Sequence, residues 1–133
     1  MSRGVLADTG PLFAAIDRDD SHHQRALRDI KRIAQKSLVV MVASPILLEA
    51  YSLILYKLGK ESAATFLSEV LNRGTLLNPA PEDYLAAAAK LAAFPGQSIT
   101  LVEATIAVLA ERLDVEVWTY DHHFDVMRAK VWR

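Results

Sequence analysis

No cysteine occurs among the 133 residues, which removes disulfides and thiolate-bound metals at once. Glycine is sparse: five residues, scattered, forming neither a Gly-x-Gly-x-x-Gly turn nor any other loop that could cradle a nucleotide's phosphates. Clean hydrophobic runs are missing too. The greasiest stretch, residues 38–56, is broken by Ser44-Pro45 and carries Glu49, which argues against a membrane span. The first ten residues hold no apolar stretch of signal-peptide length. Neither sign of charge dominates, with 15 Lys and Arg against 16 Asp and Glu for a net of −1, so a nucleic-acid partner would have to be held by a local basic face. Internal repeats, low-complexity tracts and Pro/Gly/Ser-rich linkers are absent. What remains is 52% apolar and 23% charged, the balance of a soluble globular chain. The expectation is one domain over residues 1–133, with no membrane contact and a cytoplasmic location.

Short apolar runs alternate with helical patterns. Residues 4–8 ("GVLAD") and 37–43 ("SLVVMVA") read as buried strands, 75–78 as a short one, and 115–120 ("VEVWTY") as the last. Helices are expected at 11–17, at 21–36 with Ser21 as N-cap, and from Ser44 as N-cap with Pro45 at the first helical position to Leu58, closed by Gly59. Further helices are expected at 60–72, 81–94 and 100–113, with a short one after Asp121. Strands separated by helices predict an α/β fold, a parallel sheet with helices on both faces.

The triplet Asp8-Thr9-Gly10, preceded by apolar residues, is how an aspartic protease presents its catalytic carboxylate. Such proteases are almost entirely β and need a second copy of the triplet, whereas this chain is mostly helical. Asp8 therefore has another role. In open α/β sheets functional groups collect at the carboxyl ends of strands. Four acids fall at such places: Asp8 ends the first strand, Glu49 lies early in the helix after the second, Glu103 lies in the first turn of the helix after Thr100, and Asp121 follows the last strand. Together they predict a carboxylate-lined pocket. Four negative charges at close range need cations, and hard oxygen ligands suit Mg²⁺ or Mn²⁺.

Each acid has a plainer reading. Asp8 and Asp121 could cap the helices that follow them. Thr100-x-x-Glu103 has the spacing of a capping box, which needs no metal. Glu49 lies beyond the reach of a cap, and Ile46, Pro45, Ser52 and Leu53 surround it at helical spacing, so an unpartnered carboxylate there should be costly. His22-His23 reads as a structural or surface pair; His122-His123, beside Asp121, reads as solvent-exposed in preference to a substrate contact; neither pair has the i, i+4 spacing with which one helix face grips a metal. Tyr51, Tyr56 and Phe66 read as core. Arg25, Arg28, Arg32 and Lys36 recur at spacings of 3, 4 and 4, one stripe of a helix whose apolar stripe would be Leu27, Ile30 and Ala34. That stripe is either a solvated face or a phosphate-tracking surface, to which Arg128, Lys130 and Arg133 add at the C-terminus. The apolar helices of residues 49–71 hold more hydrophobic surface than a small domain needs, enough for a dimer interface or a partner helix.

Three segments carry a family resemblance. "VLADTGPLFAAIDRDDSHHQRA", "SPILLEAYSLI" and "SITLVEATIAVLAERLDVEVWTYDHHFDVM" resemble, in order and spacing, the acid-bearing segments of PIN domains, in particular the VapC-type ribonuclease toxins of toxin–antitoxin pairs. The resemblance implies a three-layer α/β/α fold with a short parallel sheet, and a divalent-metal-dependent endoribonuclease in which metal-activated water hydrolyses a phosphodiester. It implies Asp8 as the central ligand, Glu103 and Asp121 as ligands directly or through water, Glu49 ligating or orienting a water, and Thr9 and Thr119 in support. It also implies an RNA substrate, a small antitoxin partner and a homodimer. One residue departs from the family pattern: Glu103 stands where Leu-x-Asp-Ala usually supplies aspartate, and its side chain is one methylene longer. The competing class is a non-catalytic binding or scaffolding module of the same fold, its acids serving as caps.

Overall fold

The computed structural model of the protein describes residues 3–73 and 75–133. Among them the elements run β1 (Gly4–Ala7), α1 (Thr9–Ile16), α2 (His23–Gln35), β2 (Val39–Ala43), α3 (Ser44–Leu58), α4 (Lys60–Arg73), β3 (Leu76–Leu77), α5 (Pro81–Ala92), α6 (Leu101–Leu113), β4 (Glu116–Trp118) and α7 (His123–Val126). The four strands are parallel, in the order β3-β2-β1-β4. In the register, Leu6 faces Met41 on one side and Val117 on the other. A bridge from Val117 to Val131 lays the C-terminal tail along the outer edge of β4.

Helices cover both faces of this sheet, so the central strand β1 is buried at every residue and reads as a continuous apolar run. Its side chains alternate between two cores. Leu6 points with Val42 and Val117 into the larger one, built on Ile46 and Ile54 of α3, Phe66 of α4, Ala87 of α5, Ile106 and Leu109 of α6 and Phe124 of α7. Val5 and Ala7 point the other way, to Trp118, Ile33 of α2 and Trp132. These are the three layers of an α/β/α fold. Gly4 lets β1 and β2 approach closely, since a Cβ there would lie 2.8 Å from the Val39 carbonyl oxygen. Gly59 closes α3 at φ 97°, as the sequence predicts.

Several local expectations are corrected. The N-cap position of α2 is His22 rather than Ser21, and the turn before the helix is closed by the Asp20 carboxylate, which accepts from the His22 N–H at 2.8 Å. Ser44 is already helical, and the extended residue before α3 is Ala43. The buried face of α2 is Ala26, Asp29 and Ile33, whereas Leu27, Ile30 and Ala34, the expected core stripe, are exposed. The inward phase is one residue from the expected stripe, and Asp29 on it accepts from the Trp118 indole and the Tyr120 hydroxyl. Tyr56 is 87% exposed rather than core, while Phe66 is buried and Tyr51 packs partly against the larger core. Among the described residues, no helix is long and apolar enough to cross a membrane.

Candidate metal centre

β1 and β4 are neighbours, and both end at the same edge of the sheet. Asp8 follows β1, its backbone N–H donating to the Trp118 carbonyl at 2.9 Å, so the two strand ends are fastened together. Thr119 follows β4 and donates its hydroxyl to Asp8 Oδ2 at 2.8 Å. The same hydroxyl oxygen accepts from the Asp121 N–H at 3.0 Å, which fixes the turn that carries the Asp121 carboxylate. Thr9, the first residue of α1, donates to Glu49 Oε1 on α3 at 2.6 Å. Glu103 comes from the first turn of α6. All four acids line one open groove of about 640 Å³, with Thr9, Gly10, Asp20, His22, Thr100, Tyr120, His122 and His123.

Both oxygens of Glu103 are bonded, one in a cap and one to a histidine. Oε1 accepts from the Thr100 N–H at 2.9 Å while the Thr100 hydroxyl accepts from the Glu103 N–H at 3.1 Å, a complete capping box. Oε2 meets His123 Nδ1 at 2.9 Å. His123 Nδ1 also lies 3.4 Å from Asp121 Oδ1, so this imidazole stands between two of the acids. Asp8 occupies the N-cap position of α1 without a side-chain capping bond. The Asp121 carboxylate accepts from the His123 N–H at 2.9 Å, but the N-cap position of α7 is His122, so the expected cap by Asp121 is displaced by one residue.

Electrostatics single out Asp8. Burial pushes its carboxyl up to about 6; bonds from Thr119 and the Thr9 backbone offset part of this, and the charges of Glu103 and Asp121 add to it. Burial also acts upward on Asp121, but the His123 N–H, a bond with Glu103 and the two neighbouring imidazoles outweigh it and hold that carboxyl low. His123 is raised by its bond to Glu103. A carboxyl whose ionisation is opposed first by burial and then by the neighbouring acids is what a cation would relieve. The donor set is mostly carboxylate oxygen, which fits a hard divalent ion, and the ligand atoms of Asp121, His122 and His123 all lie within 4.8 Å of one another.

The structure thus gathers Asp8, Glu49, Glu103, Asp121, Thr9 and Thr119 in one place. Glu49 departs from its expected setting: it is exposed at the rim of the groove, not desolvated among apolar neighbours. The cationic stripe divides. Arg25 stacks over the Tyr120 ring at the groove, whereas Arg32 stacks over Trp132 and donates to the Arg133 carbonyl at the far end of α2. Arg28 and Lys36 are exposed between and beyond them. His23 is structural, its Nδ1 2.7 Å from the Ala14 carbonyl oxygen, and His22 and His122 are exposed. His123 is the correction: its side chain is only 15% exposed, because α7 turns it back over the groove. Asp29 escapes a reading of the helix pattern, although its phase with Ala26 and Ile33 marks it as inward-facing. Its Oδ2 accepts from Trp118 Nε1 at 3.0 Å and from the Tyr120 hydroxyl at 2.7 Å.

A family model described as PIN domain matches residues 5–130. No curated protein matches the sequence significantly. Among solved structures the chain is similar to Mycobacterium tuberculosis VapC20, a toxin that cleaves the sarcin–ricin loop, at 20% identity and TM-score 0.86 over 98% of this chain and 99% of that one. It is also similar to VapBC2 of Rickettsia felis bound to promoter DNA, at 16% identity and TM-score 0.74 over 97% of this chain and 98% of that one. FitAcB of Neisseria gonorrhoeae is similar at 17% identity and TM-score 0.70, with 97% of this chain and 96% of that one covered.

Proposed function

Starting from the premise that the chain belongs to the PIN domain family, we propose that it is a divalent-metal-dependent endoribonuclease, the toxin of a toxin–antitoxin pair. The observation that carries this reading is the convergence of four acids from four separate segments on one groove, with Asp8 raised to about 6 at its centre. Asp8, Glu103 and Asp121 would hold Mg²⁺ or Mn²⁺, with Glu49 at the rim as a further ligand or as the group that orients a water. When bound, the ion lowers the pKa of water and neutralises charge on the phosphate. The chain's own residues do the positioning. Thr119 fixes the rotamer of Asp8, and Thr9 turns Glu49 toward the groove. Glu103 takes its capping bond on one oxygen and turns the other, bonded to His123, into the groove, so the cap does not argue against a role at the ion. Of the stripe Arg25, Arg28, Arg32 and Lys36, Arg25 lies against a groove residue and is the cation placed for the RNA backbone, while Arg32 is held at the far end of α2.

The chain would work as one cytoplasmic domain in a homodimer inhibited by a small antitoxin. Exposed Leu48, Leu55, Tyr56 and Leu71 on α3 and α4 support an interface there. A groove of about 500 Å³ between α1 and α4, apolar at Leu12, Ile16 and Phe66 and acidic at Glu61 and Glu69, suits a basic amphipathic segment. The test is cleavage of single-stranded RNA by the purified protein with Mg²⁺, Mn²⁺ or chelator. Activity should need the ion and vanish in Asp8→Asn. Cleavage that survives chelation, or that Asp8→Asn retains, would refute the assignment.

A further inference from the structure

The groove poses a problem for a polyanionic ligand, since Asp8, Asp20, Glu49, Glu103 and Asp121 all line it. A bound divalent ion offsets part of that charge where the chain is cut. The strand on either side still needs cations held at a fixed distance from the acids. One arginine meets that requirement. The Arg25 guanidinium lies 4.1 Å from the centroid of the Tyr120 ring, and no carboxylate among the described residues pairs with it. Other arginines are occupied: Arg73 with Glu69, Arg112 with Asp83, Arg133 with Asp125, and Arg32 with the Arg133 carbonyl. Arg28 and Lys36 are exposed without a ring beneath them. Arg25 is placed by stacking, which leaves the edge of its planar fork available for an anion.

The ring beneath it is itself fixed. Tyr120 donates its hydroxyl to Asp29 Oδ2, the same buried oxygen that accepts from Trp118 Nε1. Its chain neighbours are Thr119, bonded to Asp8, and Asp121. The ring therefore cannot shift without moving the strand end that carries the acids, and Arg25 inherits that placement. His22 approaches the ring at 5.1 Å between centroids and flanks the platform on the groove side.

We propose that Arg25, stacked on Tyr120 and positioned through Asp29, receives a backbone phosphate of the RNA strand beside the scissile bond. This deepens the ribonuclease reading and rests on it. Arg25 is a substrate-binding residue, and Asp29 is a positioning residue acting through Tyr120. Because a phosphate contact carries no base information, the contribution of Arg25 is independent of RNA sequence.

The experiment measures binding of a fluorescein-labelled single-stranded RNA by anisotropy, in Mg²⁺, over a series of salt concentrations. The 133-residue chain carries Asp8→Asn so that the RNA stays intact. Adding Arg25→Ala should raise Kd by about tenfold and reduce the log–log salt slope by about 0.7, the value for one phosphate contact on a single strand. The loss should be equal on oligo(A) and oligo(U). Arg25→Lys, which keeps the charge without the stacked fork, should keep the parent's salt slope and bind more weakly than the parent. Tyr120→Phe cuts the tether to Asp29 while leaving ring and charge, and should weaken binding with an unchanged slope. Arg25→Ala with the parent's Kd and slope would overturn this inference alone. A parent that binds no RNA would overturn the ribonuclease reading as well. Tyr120→Phe binding as tightly as the parent would remove Asp29 from the proposal.

Discussion

Asp8→Asn should make the metal-free protein more stable at neutral pH, although it removes the central residue of the site. The Asp8 carboxyl is raised from an ordinary 3.8 to about 6 by burial, with Glu103 and Asp121 adding to the effect. A raised acid binds its proton more tightly folded than unfolded, so folding is favoured as pH falls through the folded value. Above about 6 the folded state carries the full cost of the charge, and below the unfolded value it carries none. At about 1.4 kcal/mol per decade of acidity, the gap corresponds to about 3 kcal/mol. Asparagine keeps an oxygen for the Thr119 hydroxyl and has no charge to bury. In chelator at pH 8 its melting temperature should exceed that of the wild type by about 10 °C. By pH 4 the two should converge, through a gain by the wild type. With millimolar Mg²⁺ or Mn²⁺ the order should narrow or invert, because the ion binds the assembled carboxylates of the wild type and not the unfolded chain. Thermal melts at pH 4, 6 and 8, with and without metal, contain the whole test. Asp8→Asn melting below the wild type in chelator at pH 8 would refute the argument.

Glu103→Gln keeps an oxygen for the Thr100 N–H, so its metal-free stability should stay within about 1 kcal/mol of wild type by denaturant titration while RNA cleavage falls at least about tenfold; Glu103→Asp should retain cleavage and weaken the cap. Thr9→Val removes the 2.6 Å bond to Glu49 at the rim, and should leave the melt within a few degrees while lowering the cleavage rate several-fold at limiting Mg²⁺. Asp83 is held below the usual carboxyl range chiefly by Arg112 and also accepts from the Ala80 N–H at 2.7 Å at the start of α5. Asp83→Ala should therefore lose at least the cap's contribution of about 1 kcal/mol at pH 7. A depressed acid stabilises above its unfolded pKa, so this deficit should close as pH falls below about 4, with cleavage per folded molecule unchanged throughout.

The acids at the strand ends were legible because their placement depends on local pattern: an apolar run, a carboxylate, then a helix. The cap of Glu103 was legible from its spacing after Thr100, and its place at the groove from its position in the first turn of α6; the bond of its second oxygen to His123 was not. What pattern could not reach depends on partners distant in sequence. Asp29 drew no expectation from its place in α2, yet it faces inward, accepting from Trp118 and the partly buried Tyr120, while Leu27 and Ile30 face outward. His123 looked exposed because the return of α7 over the groove cannot be read from four residues. Glu49 looked desolvated because its helical neighbours are apolar, yet the helix rim leaves its carboxylate in water beside Thr9. In each case a tertiary contact outweighed a local expectation.

Both tryptophans of the protein, Trp118 and Trp132, lie in the smaller core between α2 and the sheet, and none lies in the larger one. Intrinsic fluorescence is thus a reporter of a single face. It follows the docking of α2 and the C-terminal tail, with the Trp118 indole bonded to Asp29 and Trp132 under the Arg32 guanidinium. Far-ultraviolet circular dichroism is weighted toward the long helices of the opposite face, α3 to α6. The two signals, followed through one unfolding titration, separate the layers: coincident curves mean that the faces part as one cooperative unit, and an earlier fluorescence change means that α2 peels away while the larger core persists.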